Sequence, residues 1–371
     1  MGQVRVFDKR HLERRRIQPN TPTSTLPQQI LKNPHIQVIM LGIIMDILQC
    51  PACQGDLDWQ IAERRGDQIE AAEARCTACA AIYPVQEGIG VFLTPGLPRK
   101  DLWEQVDNQL SQYLSQQPEI ERRLMEVPLQ ALSPADRFFR AMVLEERGAL
   151  IQARAIYEGV IHDLYTAEYL ICQESQIHFL LDHLSGSEEP IVDLASGRGD
   201  LVQAMLQQVS RPVVATDFSL RVLRRDRHWF EFFGWYDRLS LLAFDARLTP
   251  FKDGAIRTMT THLGLSNLQD PGTLLVELRR VVSGEFLAIS SFYPEDDRAN
   301  TRAISELGLS DLLFHSRLRK IFTAAGWKLQ PVNVCQGRAL PTPASRIFVG
   351  TGIDALPVTE TMLEWGTLVA T

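Results

Sequence analysis

The stretch from Pro190 to Met205, PIVDLASGRGDLVQAM, constrains the fold more than any other part of the chain. Ile191 and Val192 read as the end of a buried strand. Ala195, Ser196, Gly197 and Gly199 let backbone approach a ligand closely, and Leu201, Met205 and Leu206 return at helical spacing. Two further acids stand where later apolar runs end: Asp217 after PVVAT and Asp245 after LSLLAF. In an open α/β sheet the ligand crevice lies at the carboxyl ends of the strands, so Asp193, Asp217 and Asp245 are expected to converge on one ligand.

These residues resemble the class I S-adenosylmethionine-dependent methyltransferases, of the type 11-like group, over about Pro190 to Gly350. The resemblance implies a doubly wound, mostly parallel, seven-stranded α/β sheet whose last strand is antiparallel. It also implies S-adenosylmethionine as cofactor, with Asp193, Ala195, Gly197 and Gly199 at the first loop. Asp217 and Phe218 would lie at the ribose, and Asp245 and Ala246 at the adenine edge. The run TTHLGLSNLQDPGTLLVELRRVVSGEFLAIS looks like the family's fourth strand, helix and fifth strand, and KLQPVNV and SRIFVG are taken as the last two strands. Ala195 stands where many members have glycine, and a methyl group there is commonly tolerated. A nicotinamide or flavin fingerprint is the competing reading of Gly197-x-Gly199, but it wants a third glycine where this chain has Val202.

The second signal is Cys50-Pro-Ala-Cys53 followed by Cys76-Thr-Ala-Cys79. Each pair puts two thiolates on one knuckle, and four around a zinc ion stabilise a segment too small to bury its own core. Disulfides are the alternative, disfavoured by an acidic, enzyme-like chain without an export signal. Four protein ligands leave no open position, so the metal is expected to be structural and to leave cofactor affinity untouched. The module's tail, YPVQEGIGVFL, is similar to zinc ribbons that activate tRNA and release-factor methyltransferases, with Gly90 where many relatives have proline. Cys172 and Cys335, in apolar surroundings, read as buried free thiols.

Four parts follow: a weakly structured leader (1–44), a zinc ribbon (45–98), a helical linker or cap (99–185) and the methyltransferase domain (186–371). The chain of 371 residues carries a net charge of -7, but its first 44 residues carry seven basic and two acidic side chains, leaving -12 for the remainder. Such an acidic body gives no electrostatic footprint for bulk nucleic acid. A small-molecule acceptor is therefore the first expectation, an rRNA or tRNA methyltransferase the second, and a non-catalytic scaffold the third. Ile36 to Leu48 is too short to span a bilayer, and a cytoplasmic protein is expected.

Two features stay open. His262, at the end of the fourth strand, could take a proton or simply pack, so the catalytic residue is unknown. Arg221, Arg224, Arg225 and Arg227 stand beside six aromatics between Trp229 and Tyr236. Such a segment could stack on bases, meet a membrane surface or hold an apolar substrate, or it could fill the space between sheet, cap and ribbon.

Overall fold

The structure, a computed structural model, describes residues 44–94, 97, 113–268, 270–348 and 351–371. The expected leader lies outside these residues except for its last position. Four short strands open the described chain: β1 (Leu57–Arg65), β2 (Gln68–Cys76), β3 (Ile82–Gln86) and β4 (Ile89–Val91). Helices α1 (Pro118–Glu126), α2 (Pro134–Glu146), α3 (Leu150–Leu164) and α4 (Ala167–Leu184) follow. Helix α2 begins as its sequence predicts: Ser133 accepts from the Asp136 amide at 3.2 Å with Pro134 in the first turn, and Gly148 (φ 76°) turns the chain away at the end.

Alternation then sets in, with β5 (Ile191–Asp193), α5 (Asp200–Gln208), β6 (Val213–Asp217), α6 (Leu220–Phe232), β7 (Leu239–Ala243), β8 (Ile256–His262), α7 (Pro271–Val281) and β9 (Val282–Phe292). The chain closes through α8 (Arg298–Glu306), α9 (Ser310–Leu313), α10 (His315–Ala324), β10 (Leu329–Ala339) and β11 (Thr361–Ala370). Strands β7-β6-β5-β8-β9-β11-β10 are hydrogen-bonded in that order, parallel except where β11 runs antiparallel between β9 and β10. Every residue of β5 and β6 is buried, because helices cover both faces.

The sheet is larger than expected: among the described residues it has eleven strands, not seven. Strand β4 pairs in parallel with β7, Ile89 opposite Leu241 and Val91 opposite Ala243, and so adds strands β1 to β4 to what would be an open edge. The approach is close. A β-carbon on Gly90 would stand 2.7 Å from Leu242 Cδ2, which explains glycine at this position. This N-terminal segment also shares the core of one sheet face, where Cys50, Cys76, Tyr83 and Phe92 pack with Leu242, Phe244 and Phe251. The other face is filled by α4, α5 and α6 residues such as Leu180, Met205 and Phe230.

A second correction concerns the last strand. SRIFVG was expected there, but the final strand is TMLEWGTLVA, Thr361–Ala370, and the described part of SRIFVG, 345–348, is a turn. Asp136, 1% exposed, accepts from the backbone amides of Arg346 (3.1 Å) and Ile347 (3.2 Å), while Ser345 Oγ accepts from Phe348 N at 2.7 Å. Those amides are therefore lost to any ladder, and Phe348 packs edge-on against Phe139 of α2 at 5.2 Å.

Helix α6 resolves much of the arginine and aromatic cluster. Arg224 pairs with Glu87 at 3.2 Å, and Arg227 reaches Glu70 at 2.6 Å and the carbonyl of Glu87 at 2.6 Å, tying the helix to β2 and to the turn between β3 and β4. Phe230 and Tyr236 are buried, and Phe233 stacks on Trp235 at 5.4 Å beneath the Arg154 guanidinium. Phe232 remains 51% exposed.

Candidate functional site

The loop after β5 turns three times through left-handed backbone, at Ala195 (φ 52°), Gly197 (φ 54°) and Gly199 (φ 74°). Gly199 caps α5, and a β-carbon there would meet Phe230 Cζ at 2.9 Å, so glycine is required by conformation and by space. Ser196 ties the loop to β6: its amide donates to the Thr216 carbonyl at 2.8 Å, and its hydroxyl accepts from the Thr216 amide at 3.0 Å. The loop is thus pinned to the neighbouring strand.

Strands β5, β6 and β7 are adjacent, so Asp193 and Asp217 end neighbouring strands and Asp245 follows two residues past the end of the third. Their environments differ. Asp193 is 1% exposed and accepts from Thr260 Oγ1 at 2.7 Å; burial pushes its carboxyl up to about 7. Asp217 accepts from the amides of Ser219 (2.9 Å) and Gly197 (3.2 Å), which fixes its carboxylate against the loop, and Phe218 beside it is half-buried. Asp245 is gripped by Arg247, whose Nε and Nη2 reach its two oxygens at 2.9 and 2.6 Å. Ala246 is buried next to it.

Several residues of the site were not foreseen. Gly264 lies under the loop, where a β-carbon would come within 3.1 Å of Ala195 Cβ and 2.4 Å of Thr261 Oγ1. Its position two residues beyond His262 in TTHLGLSN was the available signal. Arg198, within the loop, donates to Glu145 of α2 at 3.1 Å and lies over Tyr157 at 4.2 Å. Glu145 also faces Arg225 at 3.5 Å, and Arg225 donates to the Gly197 carbonyl at 2.8 Å. No local pattern announces this link, since Glu145 and Arg198 are far apart in sequence. His262 is half-buried with a ring nitrogen 3.3 Å from Gln173 Nε2, and burial lowers its pKa, which favours the neutral ring.

A cleft of about 240 Å³ opens beyond His262 at the ends of β8 and β9. Tyr165, Tyr169, Tyr293, Leu263 and Leu313 line it, with Asp354 at its rim. Tyr165 stacks on Tyr169 at 4.8 Å and donates through its hydroxyl to Asp354 at 2.8 Å. The residue Asp354 is exposed at the mouth, while the crowding of its carboxyl by this wall raises its pKa. Among the described residues, no lysine, arginine or histidine lines the cleft.

Cys50, Cys53, Cys76 and Cys79 form a second cluster. Their sulfurs lie within 4.8 Å of one another, with Cys50 to Cys79 at 3.7 Å and Cys53 to Cys76 at 3.5 Å. A disulfide needs about 2.05 Å between sulfurs. Four thiolates about 2.3 Å from a central ion in a tetrahedron stand about 3.8 Å apart, so the donor set fits a tetrahedral thiolate-bound metal. The Cys79 amide donates to Cys76 Sγ at 3.4 Å, the leading reason the Cys76 thiol is lowered to about 6. Cys172 is buried as expected, and Cys335 is half-buried.

Comparison with known proteins bears on the first centre. Residues 174–294 match the ubiE/COQ5 methyltransferase family. This segment runs from within α4 to just beyond β9 and contains all three acids and the loop. The ubiquinone/menaquinone biosynthesis C-methyltransferase UbiE of Acidiphilium cryptum is 26% identical over 131 residues, covering 35% of this chain and 49% of that protein. The demethylmenaquinone methyltransferase of Streptomyces avermitilis is 36% identical over 96 residues, covering 25% of this chain and 37% of that protein. The chain thus spans about half or less of the length of these relatives. Among solved structures, the YcgJ protein of Bacillus subtilis aligns with a TM-score of 0.42 at 15% identity, over 53% of this chain and 97% of that one. Geranyl diphosphate C-methyltransferase of Streptomyces coelicolor aligns with a TM-score of 0.40 at 14% identity, over 53% of this chain and 75% of that one.

Proposed function

We propose that this chain is an S-adenosylmethionine-dependent methyltransferase acting on a small, apolar acceptor. The observation that carries the reading is the loop from Asp193 to Gly199. It is held in left-handed turns, with its Gly197 amide on Asp217, inside the segment that matches a methyltransferase family. Two backbone amides fix the Asp217 carboxylate in place, and it is read as the acceptor for the ribose hydroxyls. Asp245 and Ala246 would meet the adenine edge, with Asp245 accepting from its amine, Phe218 would lie beside Asp217 at the ribose, and Ala195, Gly197 and Gly199 would let backbone come close to the cofactor. Asp193 holds the turn through Thr260. S-adenosylmethionine would supply an electrophilic methyl group on a sulfonium. The chain's own task is to hold the acceptor in line and exclude water. Titration calorimetry tests this reading: binding is expected within the range of about 1 µM to 1 mM common for enzyme substrates, and absence of heat would overturn it.

The tyrosine-lined cleft is the acceptor's side of this reading. Its wall of leucines and tyrosines interspersed with neutral polar residues such as Ser266, Asn267 and Ser291, and its single acid with no basic side chain among the described residues, favour an acceptor without an anionic group. Asp354 and Tyr165 would take its polar head. If so, Asp354→Ala removes a hydrogen bond to a charged group, roughly 1.5–3 kcal/mol, and raises the acceptor KM on the order of tenfold to a hundredfold. S-adenosylmethionine affinity should stay as in the wild type. An unchanged acceptor KM would remove Asp354 from the site.

Cys50, Cys53, Cys76 and Cys79 are read as one closed, structural zinc site. Arg224 and Arg227 of α6 are engaged with Glu87 and Glu70, and Arg221 and Arg225 with Glu146 and Glu145 of α2, which favours the small-molecule acceptor over RNA. Among the described residues no helix is long and apolar enough to cross a membrane. The division into ribbon (45–98), helical cap (99–185) and methyltransferase domain (186–371) belongs to the same reading.

A further inference from the structure

The ribbon was expected to carry its metal without bearing on the cofactor, but its contacts converge on the segment that presents Asp245. Phe92, just past β4, donates its amide to the carbonyl of Ala243 at 2.7 Å, the residue two before Asp245. The Phe92 ring stacks on Tyr83 at 5.3 Å, and the Tyr83 hydroxyl lies 3.2 Å from Cys50 Sγ. On the far side of Asp245 the chain preceding Cys50 forms a second clasp. The Gln49 amide donates to the Pro250 carbonyl at 2.7 Å, Gln49 Nε2 donates to the Phe251 carbonyl at 3.1 Å, and the Lys252 amide donates to the Ile47 carbonyl at 2.9 Å. Phe251 then meets Phe244 edge-on at 5.5 Å. Residues 243–252 are therefore clasped at both ends by the backbone and rings that surround Cys50, itself fully buried.

We propose that the four-cysteine centre is a positioning element of the cofactor site: its metal fixes the segment 243–252, and loss of the metal weakens cofactor binding. This rests on the cofactor reading given above. A tetrathiolate ion holds Cys50 in one place because four bonds fix it. Without the ion, two knuckles of exposed and buried thiols lose their common anchor. Tyr83 and Phe92 then lose the fixed partner against which they hold the end of β7, and Gln49 loses the one against which it holds Pro250 and Phe251. Asp245 and Arg247 lie inside the clasp, so the adenine edge is the part of the site that loosens first. Asp193 and Asp217 are held by Thr260 and by the loop amides and remain in place.

The test compares zinc-loaded protein, protein stripped by a chelator, and stripped protein given zinc again. Calorimetry should show at least a fivefold weaker S-adenosylmethionine affinity on stripping, with recovery on adding zinc. Hydrogen exchange should show the amides of Phe244 and Leu248 losing protection on stripping, while β10 and β11 keep theirs. Equal affinity and equal protection in the loaded and stripped forms would overturn the proposal. Failure of the loaded protein to bind S-adenosylmethionine would strike the cofactor reading instead, and the exchange measurement alone would then decide the coupling. Should the stripped protein aggregate, Gln49→Ala decides the matter. That variant leaves all four thiols in place and is expected to retain one zinc by elemental analysis, yet to bind the cofactor about threefold more weakly. Zinc retained with wild-type affinity and wild-type exchange would refute the coupling.

Discussion

Replacing Asp217 by alanine is expected to weaken S-adenosylmethionine binding more than any other single change at the site. The carboxylate does two things at once. It is read as the acceptor for the ribose hydroxyls, each such bond to a charged group contributing roughly 1.5–3 kcal/mol. It also holds the Gly197 amide at 3.2 Å and the Ser219 amide at 2.9 Å, which fixes the loop against the end of β6. Loss of one ribose bond alone predicts on the order of a tenfold to hundredfold weaker affinity, and loss of the loop anchor adds to it. Asp217→Asn is the informative companion, because its side-chain carbonyl can keep one amide while the charge is gone, and it should fall between wild type and alanine. Calorimetry on all three proteins, with thermal unfolding as a control for folding, checks the order. Wild-type affinity in Asp217→Ala would remove this acid from the cofactor site and leave the loop without its assigned ligand.

What could be read in the sequence was what short-range chemistry determines. The order strand, small-residue loop, helix between Ile191 and Gln208 is written in glycine, alanine and apolar spacing, and Asp193 and Asp217 end their strands, with Asp245 two residues past the end of β7, because each follows its own apolar run. The two cysteine knuckles were legible for the same reason. Contacts that join distant segments were not. SRIFVG and TMLEWGTLVA both carry apolar, strand-like chemistry, and the choice between them is made by Asp136, more than two hundred residues away in sequence, capturing the amides of Arg346 and Ile347. The extension of the sheet depends on whether the edge of β7 is open, which no window of sequence reveals. Tyr165 and Asp354 meet across 189 positions, and Glu145 finds Arg198 only because α2 packs beside the loop. Arg247 was within reach of sequence reasoning, two residues after Asp245. Its grip on that carboxylate means that an adenine amine must share an acceptor already engaged.

Asp193 carries the other large effect, and it appears in stability against pH. Its carboxyl is held up to about 7 by burial, with the negative charge of Asp217 adding to the shift, whereas an unfolded chain would show about 3.9. Between these values the folded protein binds a proton that the unfolded chain does not, so this group's contribution is full at low pH and is lost as pH rises through about 7. About three units at about 1.36 kcal/mol each make this loss on the order of 4 kcal/mol between pH 4 and pH 7. Asp193→Asn replaces the titrating acid by a group that stays neutral and whose carbonyl can still accept from Thr260 Oγ1, while its amide stands where the acid proton stood. The other buried acid with a raised pKa, Asp226, lies against Arg225 and is common to both proteins, so it cancels in the comparison. Urea unfolding of the two proteins from pH 4 to pH 8 should therefore show their stability difference moving in favour of asparagine by several kcal/mol, most steeply at about pH 5 to 6 and levelling off above about pH 7. A difference that stays constant across that range would mean that Asp193 is ionised in the folded protein throughout, and that Thr260 and the surrounding amides stabilise its charge despite its burial.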